Sequence, residues 1–324
     1  DLYRQLGIVP NVAFKEMTTY GRFIDEASGH AVTVTSDLDR LARDLKALSP
    51  PDAAIVDELI AGARSFQGGD MSELGMSKPP ELASALDQVK DLWAMRRLLR
   101  YVAGKYGQPV ADYARAVQAP WLRSCIEGLF LPDVPVYFVF MLLGLLADGQ
   151  LGYIDGSCAD LVHAVEERYR SLGGEVIYKA RVEEILVEDD RAVGVRLSEG
   201  APVPREQRAG AVVSAADGYS TIFKMLGGRY VNEKIKERYQ TWPRFKPLLM
   251  FNYGVAREYP DDAGFVTVHL EQPIAIGDHQ VDALMVRNFH YSARFAPQGK
   301  TVIQADLETV WDYWTDLRRE DAAG

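Results

Sequence analysis

The stretch GGEVIYKARVEEILVEDDRAVGVRL, from Gly173 to Leu197, constrains the fold of this chain more than any other. Ahead of it, Leu161, Val162, Val165, Tyr169 and Leu172 recur at the spacing of one helical face. Ser157 and Asp160 form a capping-box-like pair at the start of that helix, and Gly173 stops it. Within the stretch, EVIYKA alternates as a strand, while RVEEILVE and AVGVRL, joined by DDR, are expected to pair as a hairpin. AGAVVSAAD follows as a short apolar strand ending in small residues and an acid, with helices expected at about 217–226 and 231–240. Helix, glycine stop, strand, hairpin and strand in that order belong to an α/β domain.

The flanks have a different character. Residues 11–36 read as a β-hairpin: VAFKEMTTYGRF is rich in β-branched and aromatic residues, DEASGH turns, and AVTVTS returns. Ser36, three before Asp39, then opens a helix in which Leu38, Leu41, Leu45 and Leu48 recur, and Pro50 and Pro51 end it. Helices are expected at about 51–66, 80–103, 109–117, 119–129 and 134–147, with 68–79 as the loosest loop. The apolar run Val134–Ala147 is shorter than the roughly 18 residues of a membrane span, so a buried helix is expected there. KPLLMFNYGVA, FVTVHLE, QVDALMVRNFHY and TVIQADL read as four strands of an antiparallel sheet, and ETVWDYWTDLRRED begins a last helix. The expected division is 1–36 as a hairpin of one domain, 37–147 as a helical subdomain, 151–228 as an α/β part, and 229–324 as a sheet with the start of a helix. Both ends look cut, as in a piece of a longer protein.

Composition excludes several functions. A net charge of -10 argues against nucleic acid, because phosphate binding needs clustered Lys and Arg. His30, His163, His269, His279 and His290 show no HxH or HExxH spacing, so no metal site is expected. Cys125 and Cys158 stand apart and are both expected as small buried apolar residues of a reducing, cytoplasmic setting. No GxGxxG, P-loop or GxSxG elbow occurs. The pairs Asp189–Asp190 and Asp261–Asp262 read as solvated turns, Gly68–Gly69 as a loop, and Gly227–Gly228 as a helix stop.

The order YIDGSCADLVHAVEERYRSLGGEVIYKARVEEILVEDDRAVGVRL…AGAVVSAAD resembles the middle of phytoene desaturase-like FAD-dependent oxidoreductases, within the wider amine-oxidase-type flavoproteins. LYRQLGI with its hairpin, and VRNFHYSARFAPQGKTVIQ, resemble flanking parts of the same family. The resemblance implies an α/β (α+β) fold: part of an FAD-binding Rossmann-like domain plus an antiparallel-sheet substrate domain with a helical subdomain. It also implies that the family's first GxGxxG unit and its last FAD motif lie outside this chain, so that FAD binds the intact protein.

By the same resemblance Val182 would meet the adenine of FAD through its main chain, with a core valine as the plain alternative. The small residues of Ser214-Ala215-Ala216-Asp217 would let the backbone approach the cofactor, with Asp217 read as a helix N-cap before a catalytic acid. Asp155-Gly156-Ser157 stands where the family has Gly-Gly-Ser in a turn near flavin and substrate, and the added carboxylate is costly to bury unless paired. The implied activity is dehydrogenation of an apolar isoprenoid or polyene, with a helical subdomain that walls a tunnel or lies peripherally on a membrane. A redox-neutral flavin-dependent isomerase and a non-catalytic lipid- or partner-binding module stand as alternatives, and nothing in the sequence looks like an aromatic amine cage.

Overall fold

In the computed structural model, residues 2–68, 84, 86, 90, 93, 101, 104–242, 245–259, 263–277 and 279–323 are described. Among them are eleven strands: β1 Phe14–Glu16, β2 Thr19–Asp25, β3 Ala31–Thr35, β4 Gly152–Ile154, β5 Val182–Glu188, β6 Arg191–Leu197, β7 Glu206–Arg208, β8 Leu248–Val255, β9 Phe265–Ile276, β10 His279–Asn288 and β11 Thr301–Glu308. The chain is a mixed α/β protein that divides into two compact units, Asp1–Val9 with Leu161–Phe245, and Pro10–Asp160 with Lys246–Gly324. Most of the expected helix 80–103, most of the loop 68–79, Gly69 and the Asp261–Asp262 pair lie outside the described residues.

The larger unit is built on a six-stranded sheet of order β3-β2-β9-β10-β11-β8. The expected hairpin is present as β2 and β3, with Phe23 opposite Val32. The four late strands pair antiparallel, but the sheet is mixed, because β2 lies parallel to β9 with Arg22 opposite Val266. Phe14–Glu16 leaves the hairpin and pairs with β4. Strands of three residues carry too little periodicity to announce such a long-range pairing.

Helices Leu38–Leu48, Ala53–Phe66, Val110–Ala114, Pro120–Gly128 and Tyr137–Ala147 supply the core. The last of these is apolar at every position, and Val139, Phe140, Leu143 and Leu146 are fully buried, as a helix without a polar face must be. It packs on Ala53–Phe66 through glycines. A Cβ on Gly144 would lie 2.7 Å from the Ala63 carbonyl oxygen and 2.9 Å from Phe66 Cβ. Gly144→Ala is therefore expected to cost about 1–3 kcal/mol by overpacking, read as a lower denaturant midpoint; an unchanged midpoint would show that the two backbones do not approach closely.

Two caps differ from expectation in detail. The helix Leu38–Leu48 is capped by Asp37, whose carboxylate accepts from the Arg40 N–H at 2.9 Å, and not by Ser36. Pro50–Asp52 forms a separate 3-10 turn before the next helix starts at Ala53. Cys125 is buried, as expected, and burial pushes its thiol up to about 12, whereas Cys158 is exposed in the first turn of its helix.

The smaller unit holds the three-stranded sheet β5-β6-β7. The DDR turn works because Asp189 and Asp190 both take positive φ, 47° and 57°, the backbone of a type I′ hairpin. Three expectations fail here. EVIYKA and AGAVVSAAD form no strand: Tyr178–Lys179 is a turn, with Lys179 left-handed at φ 57°, only the first residue of the second segment, Ala209, bonds to β6, through the Val193 carbonyl, and Val213 is 93% exposed. In the helix Cys158–Ser171, Ala164 alone is buried, while Val162, Tyr169 and Leu172 of the expected inner face are exposed. The helix expected at 217–226 is a π-helix, Ser220–Met225, and Glu233–Thr241 follows as an α-helix.

Candidate functional site

The β9–β10 pair at the centre of the large sheet carries the site. Alternation puts Phe265 and Arg287 opposite each other across these strands, and Arg287 opposite Gln304 of β11. Asp306 lies two residues on from Gln304 and is only 1% exposed. Arg287 Nε donates to its Oδ2 at 2.8 Å, and Gln304 Nε2 donates to its Oδ1 at 2.6 Å. The buried carboxylate is thus fully matched, and the Arg287 charge is balanced on its inner side.

On its outer side Arg287 borders a pocket of about 290 Å³. Met17 and Tyr20 come to it from the β1–β2 connection and β2, Tyr153 from β4, and Phe289 and Tyr291 from the chain beyond β10. Tyr153 and Tyr291 stack at 4.2 Å between ring centroids, with the rings 19° apart. The Tyr153 hydroxyl sits over Gly264, where a Cβ would be 2.7 Å from it. Tyr20 donates its hydroxyl proton to the Leu129 carbonyl at 2.9 Å. Burial pushes the phenols of Tyr20, Tyr153 and Tyr291 above their ordinary range, with the Arg287 charge partly offsetting it, so all three stay neutral at physiological pH. Asn288 is 5% exposed; its amide donates to the Tyr259 carbonyl at 3.4 Å, and its buried Oδ1 has no partner among the described residues. The arrangement can hold a flat apolar molecule against its rings and offer it the Nη donors of an arginine.

The residues singled out from sequence lie beside this pocket or in the smaller unit. Asp155-Gly156-Ser157 directly follows Tyr153; Gly156 has φ 142°, a backbone that suits glycine. The Ser157 N–H and then the Arg294 guanidinium hold Asp160 down to about 2. Asp155 is half-buried; the Arg294 pKa is raised first by its 2.9 Å hydrogen bond to Asp160 and least by the Asp155 charge, and Asp155 makes no ion pair among the described residues. In the smaller unit, Val182 starts β5, an edge strand of its sheet. Arg181 accepts from the Ser198 N–H at 2.8 Å, which turns the N–H and C=O of Val182 toward the open edge. Ala215, Ala216 and Asp217 are exposed, and Asp217 caps the π-helix by accepting the Ser220 N–H at 2.9 Å.

Sequence reasoning did not single out Tyr20, Tyr153, Phe265, Arg287, Asn288 or Tyr291. Their signal is at the end of QVDALMVRNFHY, where apolar alternation gives way to a cation, an amide and aromatics.

No protein-family model matches the chain. It is 39% identical over 80 residues to phytoene desaturase (lycopene-forming) of Pseudescherichia vulneris, covering 25% of this chain and 15% of that protein. It is 28% identical over 110 residues to the chloroplastic prolycopene isomerase of Arabidopsis thaliana, covering 34% and 18%. Among solved structures, an oxidoreductase from Methanosarcina mazei superposes with TM-score 0.55 at 15% identity, over 96% of this chain and 65% of that one. A protein of Pyrococcus furiosus superposes equally well, TM-score 0.55 at 15% identity, over 95% and 62%. The fold is therefore shared with these structures, and the chain spans less than two thirds of each, and under a fifth of the curated relatives.

Proposed function

The chain belongs to the phytoene desaturase-like family of oxidoreductases, desaturases and isomerases, and from that premise we propose that the intact protein binds FAD and dehydrogenates an apolar isoprenoid or polyene. The observation that carries this reading is the aromatic pocket of the larger unit, whose stacked Tyr153 and Tyr291 rings suit a flat conjugated chain. Flavin, when bound, would take a hydride from a substrate C–H bond. The residues of this chain would do the rest. Met17, Phe265 and Phe289 exclude water, the neutral phenols add no charge, and the Arg287–Asp306 pair keeps the wall electrically balanced.

The open edge at Val182 fits the adenine of FAD, because a main-chain N–H and C=O side by side can read a heterocycle without a polar side chain. The small exposed residues Ala215 and Ala216 leave room for the cofactor, with Asp217 in its capping role. Segments 175–180 and 209–217, which form no strand among the described residues, are where further chain would complete a parallel sheet and supply the phosphate-binding turn. Peripheral contact with a membrane remains part of the proposal; no helix among the described residues is long and apolar enough to cross one.

The visible spectrum of the protein encoded by the whole gene tests this reading: flavin absorption that copurifies, and bleaches when an isoprenoid substrate is added, is the expected result. Folded protein with no flavin absorption, and none after added FAD, would overturn it. The similarity to prolycopene isomerase favours a second reading, a redox-neutral isomerase. Turnover that continues without any electron acceptor distinguishes it.

A further inference from the structure

We infer that Gly264 is a positioning residue of the aromatic pocket: it seats the Tyr153 ring flat against Tyr291 and so gives the site a preference for planar ligands. The inference deepens the reading of this pocket as the substrate site and rests on it.

Nothing in the backbone calls for a glycine at this position. Gly264 does not take the left-handed φ that favours glycine. Its carbonyl accepts the Asn288 N–H at 2.9 Å at the end of the β9–β10 ladder, a bond that any residue would make. What the position lacks is room. A Cβ would meet the Tyr153 hydroxyl at 2.7 Å and Cζ at 3.2 Å, and next the Asn288 carbonyl at 3.8 Å. The need for a glycine therefore comes from the phenol above it.

The two rings of the stack are held unequally. Tyr291 is fixed on several sides: Lys15 Nζ donates to its carbonyl at 2.6 Å, and its ring packs against Phe295 at 5.3 Å and Phe289 at 6.0 Å. Tyr153 comes from the three-residue strand β4, and its hydroxyl makes no hydrogen bond among the described residues. The near-parallel stack, 19° between rings at 4.2 Å, then depends on the space above Gly264. A methyl group there meets the far end of a movable side chain, so the ring tilts before the backbone yields. A tilted ring breaks the flat wall and leaves the rest of the pocket in place.

Two apolar probes of equal carbon number and opposite shape test this: 2-ethylnaphthalene, which is flat, and 1-ethyladamantane, which is globular. Each is titrated by calorimetry into the protein encoded by the whole gene. The unaltered protein is expected to bind the flat probe about tenfold more tightly, the worth of a ring–ring contact beyond its area. Gly264→Ala, with native circular dichroism, should cut that preference to about twofold. Adding Tyr153→Phe removes the atom at 2.7 Å and should restore most of the preference, which separates the ring's position from a general loss of structure. Equal binding of the two probes by the unaltered protein overturns the inference, as does a preference that Gly264→Ala leaves unchanged or that Tyr153→Phe fails to restore. A Gly264→Ala protein that does not fold overturns it too, since the backbone and not the ring would then have given way. No saturable binding of either probe overturns the pocket reading together with this one. The titration uses neither flavin nor turnover, so a protein that lacks FAD but shows the expected shape preference would sink the oxidoreductase reading alone.

Discussion

Phe140→Ala is expected to remove about 3–5 kcal/mol of unfolding free energy, the upper range for a buried aromatic truncated in a core that cannot collapse. The ring has no exposed surface and lies directly over Gly62. Tyr106 meets it edge-on at 5.1 Å, Tyr101 at 5.9 Å and Tyr113 at 6.5 Å, so three further rings each lose one of their partners at once. Two backbones already in near contact leave little room for the helices to close the void. Urea denaturation followed by tyrosine and tryptophan fluorescence reads the loss, and a change below about 1 kcal/mol would mean that the rings are not packed as described.

Asp52→Ala should be the next most damaging change, at about 3 kcal/mol, because it strands donors rather than merely emptying space. The Asp52 side chain is buried at the junction of two helices. It accepts from the Gln118 N–H at 2.7 Å, the Ala119 N–H at 3.0 Å and the Ser49 hydroxyl at 2.7 Å, tying residues 49–52 to the start of the helix Pro120–Gly128. Burial alone would raise its pKa. The hydrogen bonds from Gln118, Ser49 and Ala119, with the Arg123 charge beyond them, reverse that and hold it below the ordinary carboxylate range. A folded-state pKa below the unfolded one gives stability that is complete above the unfolded value, near 4, and is lost as pH falls through the folded one. Unaltered protein should therefore weaken on acidification below about pH 4, and Asp52→Asn should flatten that slope. An Asp52→Asn variant with an unchanged acid limb would exclude this carboxylate as the source.

Elements with local signals were legible in the sequence, and those that depend on distant partners were not. Val134–Ala147 announced a buried helix because no face of it is polar, and DDR announced a hairpin because two aspartates can take the left-handed turn. Leu38, Leu41 and Leu45 are buried as their spacing required. By contrast, EVIYKA has strand alternation but no neighbour, and alternation describes a face without supplying a hydrogen-bonding partner. The helix Cys158–Ser171 shows the same limit, since an apolar stripe predicts burial only where something covers it. The pocket was illegible for a related reason. Tyr20, Tyr153 and Arg287 lie far apart in the chain, and they meet through pairings that leave no local mark, β1 with β4 and β2 with β9.

The parallel pairing of β2 with β9 also sets a clock for synthesis. Arg22 and Val266 are register partners, yet some 240 residues separate them. At about 5–20 residues per second, a ribosome needs roughly 12–50 s to pass from one to the other. During that interval the β2 edge of the finished β2–β3 hairpin, later covered by β9, stays open as a template for any passing strand. Slower elongation lengthens the exposure without altering the final structure. Yield of this chain should therefore depend on translation speed and on chaperones that shield strand edges, even where its equilibrium stability is unchanged.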